Sequence, residues 1–301
     1  MRDAVPPGTG APFDDDLRSI ARTNRAALEA RFPQAFRPDL KARATVTGTI
    51  VVLLAVFLGG FCVLDISWER VFNGMGKLGQ FVELMVPPAF GTMAKLQAYL
   101  WSLAETLAIA FLGTLLAALL AAPFGFLAAR NVAPNWIFHF TTRRFLDTVR
   151  SVDTLIWALI WINVVGLGPF AGILAIMSSD FGSFGKLFSE AIEAADRKAV
   201  EGVTSTGGAK VHAVRFGLLP QVLPVMASQV LYFFESNTRS ATIIGIVGAG
   251  GIGQYLYEQI KVLEWQHVSF LVLLVLLAVV VIDAISGRLR MAIIGPAEPP
   301  R

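Results

Sequence analysis

The chain has one cysteine, Cys62, which excludes an intramolecular disulfide and any multi-cysteine metal site. It is poor in charge: Asp, Glu, Lys and Arg supply 16% of its 301 residues, against about 25% in soluble domains. Its three histidines, His139, His212 and His267, stand far apart in sequence. No Ser/His/Asp set, carboxylate pair or histidine cluster is visible, so the chain reads as a non-enzyme. The nucleotide-binding pattern G-x-x-x-x-G-K-[ST] is also missing, because Gly185-Lys186 is followed by Leu187 and lacks the upstream glycine. Residues 1–44 lack the apolar region and cleavage site of a signal peptide.

What the chain has in excess is apolar surface, with 55% apolar residues and a mean hydropathy of +0.63. Crossing hydrocarbon takes about 20 apolar residues in a helix, because an unpaired backbone amide there costs several kcal/mol. Residues 45–64 carry no charge, and neither do 106–129, which Pro123 interrupts near the end. The runs 218–234 and 268–282 become long enough once flanking residues such as Trp265 and Ser286 are included. Two apolar halves, 155–165 and 170–177, flank Gly166-Leu167-Gly168-Pro169, a helix stop followed by a helix start. Arg143, Asp147, Arg150 and Thr154 share one helical face, so the first half is expected to extend backward with that face against protein. The pattern predicts an all-α polytopic membrane protein of about six transmembrane helices, the two halves forming a helical hairpin.

Lysine and arginine orient this layout, since short cytoplasmic loops are enriched in them. With both termini inside, twenty of the 25 basic residues lie on the inner side. Only Arg70, Lys77, Lys95 and Lys261 lie outside, and Arg239 sits within a span. Retention of basic loops accounts for the net charge of +3 and the pI near 9.2 without nucleic acid. In the hydrophilic tail, Asp14 to Asp16 can cap a helix carrying Leu17, Ile20, Ala27 and Leu28 that ends at Pro33. A surface-lying helix and a solvated tail both fit that stretch.

Between two apolar segments, residues 199–224 read AVEGVTSTGGAKVHAVRFGLLPQVLP. The spacing of Glu201, Gly207, Leu219 and Pro220 resembles the cytoplasmic coupling loop of ABC importer permeases. Gly202 and Val203 stand where that pattern has two alanines, and Gly217 where it has an apolar residue. A short helix over 202–213 turning at Gly207-Gly208 is expected, with Leu219-Pro220 opening the next span. The resemblance covers about residues 101–288 and is to the phosphonate and phosphite branch, through 102–107, 166–172, 185–188 and 245–253. Methionine-importer permeases share the last, glycine-rich stretch.

The resemblance implies a permease of type I, methionine-importer-like architecture in the bacterial inner membrane. Two copies would form one pathway in the lipid, driven by a cytoplasmic ABC ATPase dimer that holds the ATP and Mg, and fed by a periplasmic solute-binding protein. The chain itself is expected to bind no cofactor, metal or nucleic acid. Phosphonate or a related phosphorus oxyanion is the implied cargo, with methionine or another organic solute as the alternative. The resemblance assigns ATPase coupling to Glu201, Gly207, Gly208, Ala209, Lys210, His212, Leu219 and Pro220. The expected organisation is a cytoplasmic tail (1–44), a first span (45–64), a periplasmic segment (65–100), a core (101–288) containing the coupling loop (199–219), and a second cytoplasmic tail (289–301).

Glu235, Ser236, Asn237 and Arg239 interrupt the span that follows, where an ionised group at mid-bilayer costs about 2.5–3.5 kcal/mol on insertion scales. Glu235 and Arg239 are four residues apart and can pair on one helical face. Alternatively, Asn237 and Arg239 line the pathway and offer donors to an oxyanion, since a guanidinium grips such oxygens as a fork. Glu105 and Asn163 read as packed polar contacts. Gly248, Gly250, Gly251 and Gly253 fit G-x-G-x-x-G, yet a span rather than a strand precedes them and residues 269–282 are apolar. Together with Gly245 they read as close helix packing, and by the resemblance as a gate near the outer face. An ion channel, a membrane scaffold or a membrane enzyme would also carry several spans, but none accounts for the spacing from Glu201 to Pro220.

Overall fold

A computed structural model describes residues 40–64, 67–133 and 135–294. Regular structure among them is entirely helical, and the chain divides into two units between Gly76 and Lys77. In the first, α1 (Leu40–Val63) is uncharged beyond Arg43, and its apolar side chains are exposed on every face, as a lipid-facing span requires. Thr49 donates its hydroxyl to Thr45 O at 2.9 Å, so this side chain is paired within its own helix. α2 (Trp68–Leu84) begins here and ends in the second unit. The tail helix expected between Asp14 and Pro33 lies outside the described residues.

The second unit is built on α3 (Met93–Ala128), whose first turn is capped by Thr92 accepting from Lys95 N. Pro123 sits inside this helix without ending it. Its buried face is a stripe of small residues, Ala110, Gly113, Thr114, Ala117, Ala121 and Gly125. α6 (Pro169–Ala194) lies directly on that stripe: a Cβ at Gly113 would come within 2.8 Å of Ile176, and one at Gly125 within 2.8 Å of Phe188. Close backbone approach through small residues is how helices associate where lipid removes the hydrophobic drive.

α4 (Trp136–Arg150) and α5 (Thr154–Val165) meet at 84°, which corrects the expectation of one helix extended backward from 155. Ser151 closes the last turn of α4, and Asp153 caps α5 by accepting from Leu155 N at 2.8 Å. Two local hydrogen bonds outcompete continuation. The polar face itself does lie against protein: Lys186 pairs with Asp147 at 2.9 Å, Arg143 with Glu193 at 3.3 Å, and Thr154 donates to Ser179 at 2.8 Å.

The turn between α5 and α6 uses positive φ at Gly166 (90°) and Gly168 (131°), with Pro169 opening α6. α6 then runs 26 residues, well past Met177, because the charges in its second half find partners on α4. α7 (Arg197–Ser205) follows, then α8 (Lys210–Ile246), α9 (Ile252–Lys261) and α10 (Trp265–Ile294). Among the described residues, α1, α3, α8 and α10 are long and apolar enough to cross a membrane, and α4 with α5 makes a fifth if the bent pair is one span. α6, at 26 residues, has the length for a sixth but is not apolar enough to join that count.

Candidate functional site

Three polar constructions stand on this apolar frame. The first is the segment joining α6 to α8. Asp196 caps α7 by accepting from Lys198 N at 3.0 Å, and the helix ends where Gly207 takes φ 84°. The amides of Gly207 and Gly208 close that end on the carbonyls of Thr204 (3.0 Å) and Val203 (3.2 Å). Ala209 then leads into α8 at Lys210. The short helix therefore lies before Gly207 rather than across 202–213, since only glycine accepts the left-handed turn there without strain.

α8 does not start at Leu219. It opens at Lys210 and widens into a π turn over Ala213–Leu218 before Pro220. Proline has no N–H and its ring crowds the carbonyl four residues back, so the wider turn lets the helix pass through it. Gly217, the departure from the family pattern, is where α7 rests on α8: a Cβ there would stand 2.9 Å from Val200 Cα. Gln221, which sequence reasoning missed, ties the base by donating to Gly217 O at 2.6 Å and accepting from Asp196 N at 3.0 Å. Glu201, Gly207, Lys210, Val211 and His212 remain exposed on this knob, and Gly202 faces open space. A cleft of about 740 Å³ opens beside it, lined by Asn131, Arg197, Glu201, Thr204 and Lys210 among others.

The second construction lies in the middle of α8, where the predicted pathway residues separate. Asn237 is buried, donating to Thr114 Oγ1 at 2.8 Å and, through a short contact, to Asp180 Oδ2. Thr114 spends its own hydrogen on Ala110 O at 2.7 Å. One amide thus joins α3, α6 and α8. Asp180 gave no sequence signal beyond being a lone carboxylate in an apolar run. Glu235 pairs with Arg239 at 3.5 Å, as the four-residue spacing allows, and also with Arg290 of α10 at 3.4 Å. Arg239 keeps a side chain 52% exposed, so of the two proposed donors it is the one left open. Asn163 is exposed and donates within α5 to Leu159 O at 2.7 Å.

The third is the glycine stretch between α8 and α9. A Cβ on Gly245 would lie 2.6 Å from Gly250 O, and one on Gly253 2.0 Å from Thr242 O, so the chain folds back onto its own helix end. Gly248, Gly250 and Gly251 all take positive φ. Gly248 O accepts from Gly168 N at 3.0 Å, and Ile252 N donates to Thr106 Oγ1 at 2.8 Å. A side chain on Gly250 would meet Glu105, which packs against this turn. The residues 245–253 thereby join the first half of α3 and the α5–α6 turn, flanked by helices, which removes the context a dinucleotide site needs.

Comparison with known proteins meets these features from outside. The family model described as "Binding-protein-dependent transport system inner membrane component" matches residues 121–294. The chain is 35% identical over 275 residues to the phosphite transport system permease protein PtxC of Stutzerimonas stutzeri, covering 91% of this chain and 97% of that protein. It is 32% identical over 255 residues to the phosphate-import permease protein PhnE of Mycolicibacterium smegmatis, covering 85% of this chain and 48% of that one. Among solved structures, a chain of the MetNI methionine ABC transporter in an inward-facing conformation superposes with a TM-score of 0.59 at 20% identity. It covers 67% of this chain and 99% of that one, a likeness of fold alone.

Proposed function

The chain belongs to the binding-protein-dependent transport system inner membrane components, a family shown by the match over residues 121–294, and from that premise we propose that it is the permease of an importer for a tetrahedral phosphorus oxyanion. The cargo is a phosphonate, phosphite or phosphate. The single observation that carries the transport reading is the knob of α7 and Gly207, braced on α8 through Gly217 and Gln221 at the spacing of a coupling loop. Long alignments with permeases named for phosphite and phosphate support the cargo.

In this reading two copies of the chain form one pathway in the inner membrane, with the knobs on the cytoplasmic side. Each knob seats in a separate ATPase subunit that holds the ATP and Mg. Closure of the ATPase dimer presses on α7; because Gly217 brings backbone against backbone, α8 moves with it instead of absorbing the push. Asn237 passes the motion to α3 and α6, and the glycine turn at 245–253 moves against the α5–α6 turn. A periplasmic solute-binding protein delivers the cargo, and Arg239 offers its guanidinium to the oxyanion as it passes.

The test is uptake by proteoliposomes holding the permease with its ATPase, supplied with the binding protein and ATP. Labelled phosphite, methylphosphonate or phosphate should accumulate, and Arg239→Gln should reduce uptake at least tenfold with assembly intact. Accumulation of methionine instead would turn the cargo assignment to the alternative. Wild-type uptake by the Arg239 variant would remove that residue from the pathway.

A further inference from the structure

α2 is amphipathic along its whole length. At about 100° per residue, Trp68, Val71, Phe72, Met75, Leu78 and Val82 fall within an arc of about 120°. Glu69, Asn73, Lys77 and Gln80 occupy the opposite side. None of the helix's residues is buried, and the side chains of Phe72, Met75, Leu78 and Val82 are each exposed. Phe81, off the apolar arc, meets protein, its ring centroid 4.9 Å from that of Trp265.

The C-terminal end of α2 is held at a membrane boundary. Its first residue follows the end of the α1 span by only a few positions. Just beyond its last residue, Met85 O accepts from Ser269 and Ala89 N donates to Gln266 O, which fixes this end to the first turn of the α10 span. A helix of 17 residues is about 26 Å long at 1.5 Å per residue. Fixed at its last turn to the start of the α10 span, the helix has that end at the membrane surface. Its formal charges, Glu69 and Glu83 against Arg70 and Lys77, cancel, so apolar insertion and not attraction to anionic lipid holds it there.

We propose that α2 lies flat in the membrane interface with the Trp68–Val71–Phe72–Met75–Leu78–Val82 face in the boundary between headgroups and acyl chains of the leaflet where α1 ends. The occupant of this unpartnered face is lipid. The helix ties the start of α10 to that leaflet while its polar side faces water.

Nitroxide labels on single cysteines test this in the full-length protein in phosphatidylcholine nanodiscs, with Cys62→Ser as background and Cys62→Ala as a second background should serine disturb α1. Phe72→Cys, Met75→Cys, Leu78→Cys and Val82→Cys labels should be several-fold more accessible to oxygen than to a water-soluble nickel complex. Asn73→Cys, Lys77→Cys and Gln80→Cys should show the reverse, and phosphatidylglycerol should leave the pattern unchanged. Equal aqueous access on both faces would overturn the proposal, as would an apolar face closed to both reagents, which would mean that protein covers it.

Discussion

At the residue scale, the polar groups inside the bilayer segments sort by what they touch, and their spacing alone did not sort them. Glu235 and Arg239 are four apart in one helix and pair as that spacing permits. Asn237, two residues from either, points into the bundle because Asp180 and Thr114 wait there on other helices. Removing the acceptor should strand an amide donor in a dry site, which costs about 1–3 kcal/mol. Asp180→Leu is therefore expected to lower the thermal midpoint of the detergent-solubilised protein by roughly 2–8 °C, and Asp180→Asn by less. An unchanged midpoint for the leucine variant would show that the three-helix joint contributes nothing. Partners 57 and 123 residues away along the chain leave no periodic trace, which is why Asn237 read as a candidate for the pathway.

At the element scale, the joining segment shows how local rules and packing divide the work. Gly207 at φ 84° sits at an exposed helix end where an added Cβ would meet nothing, so its requirement is conformational and not one of space. Gly217 is the opposite case, an ordinary helical residue that needs to be glycine because α7 rests on it. Gly207→Trp should leave the protein in the membrane and folded while abolishing substrate-stimulated ATP hydrolysis in the reconstituted complex, since the knob would no longer fit a groove shaped for it. Stimulated hydrolysis at the normal rate would refute the coupling role. The short helix fell earlier than expected, and the span began nine residues before Leu219, because a π turn can carry a helix through proline.

At the scale of the whole molecule, the claim that matters is which side of the membrane the knob occupies. The excess of basic residues predicts that residues 186–219 lie inside, and the prediction is the same if the α5–α6 pair is re-entrant, because removing both crossings leaves that segment on the same face. Lys210 is exposed on the knob. In sealed right-side-out vesicles it should resist a membrane-impermeant amine reagent and react in inverted ones. The reverse pattern would end the transporter reading, since no cytoplasmic motor could reach the knob.

Hydropathy, charge asymmetry and the spacing from Glu201 to Pro220 by themselves determined that this is a helical membrane protein with an importer-like joining segment. Each is a property of a contiguous stretch and is set by solvent and by local backbone preference. Only the tertiary structure decided that α4 and α5 bend apart, that α6 continues past Met177 on charges matched by α4, and that Gln221 and Asp180 hold the joints. Those outcomes depend on which side chains meet across the bundle, and a buried polar group is stable only where a distant partner answers it.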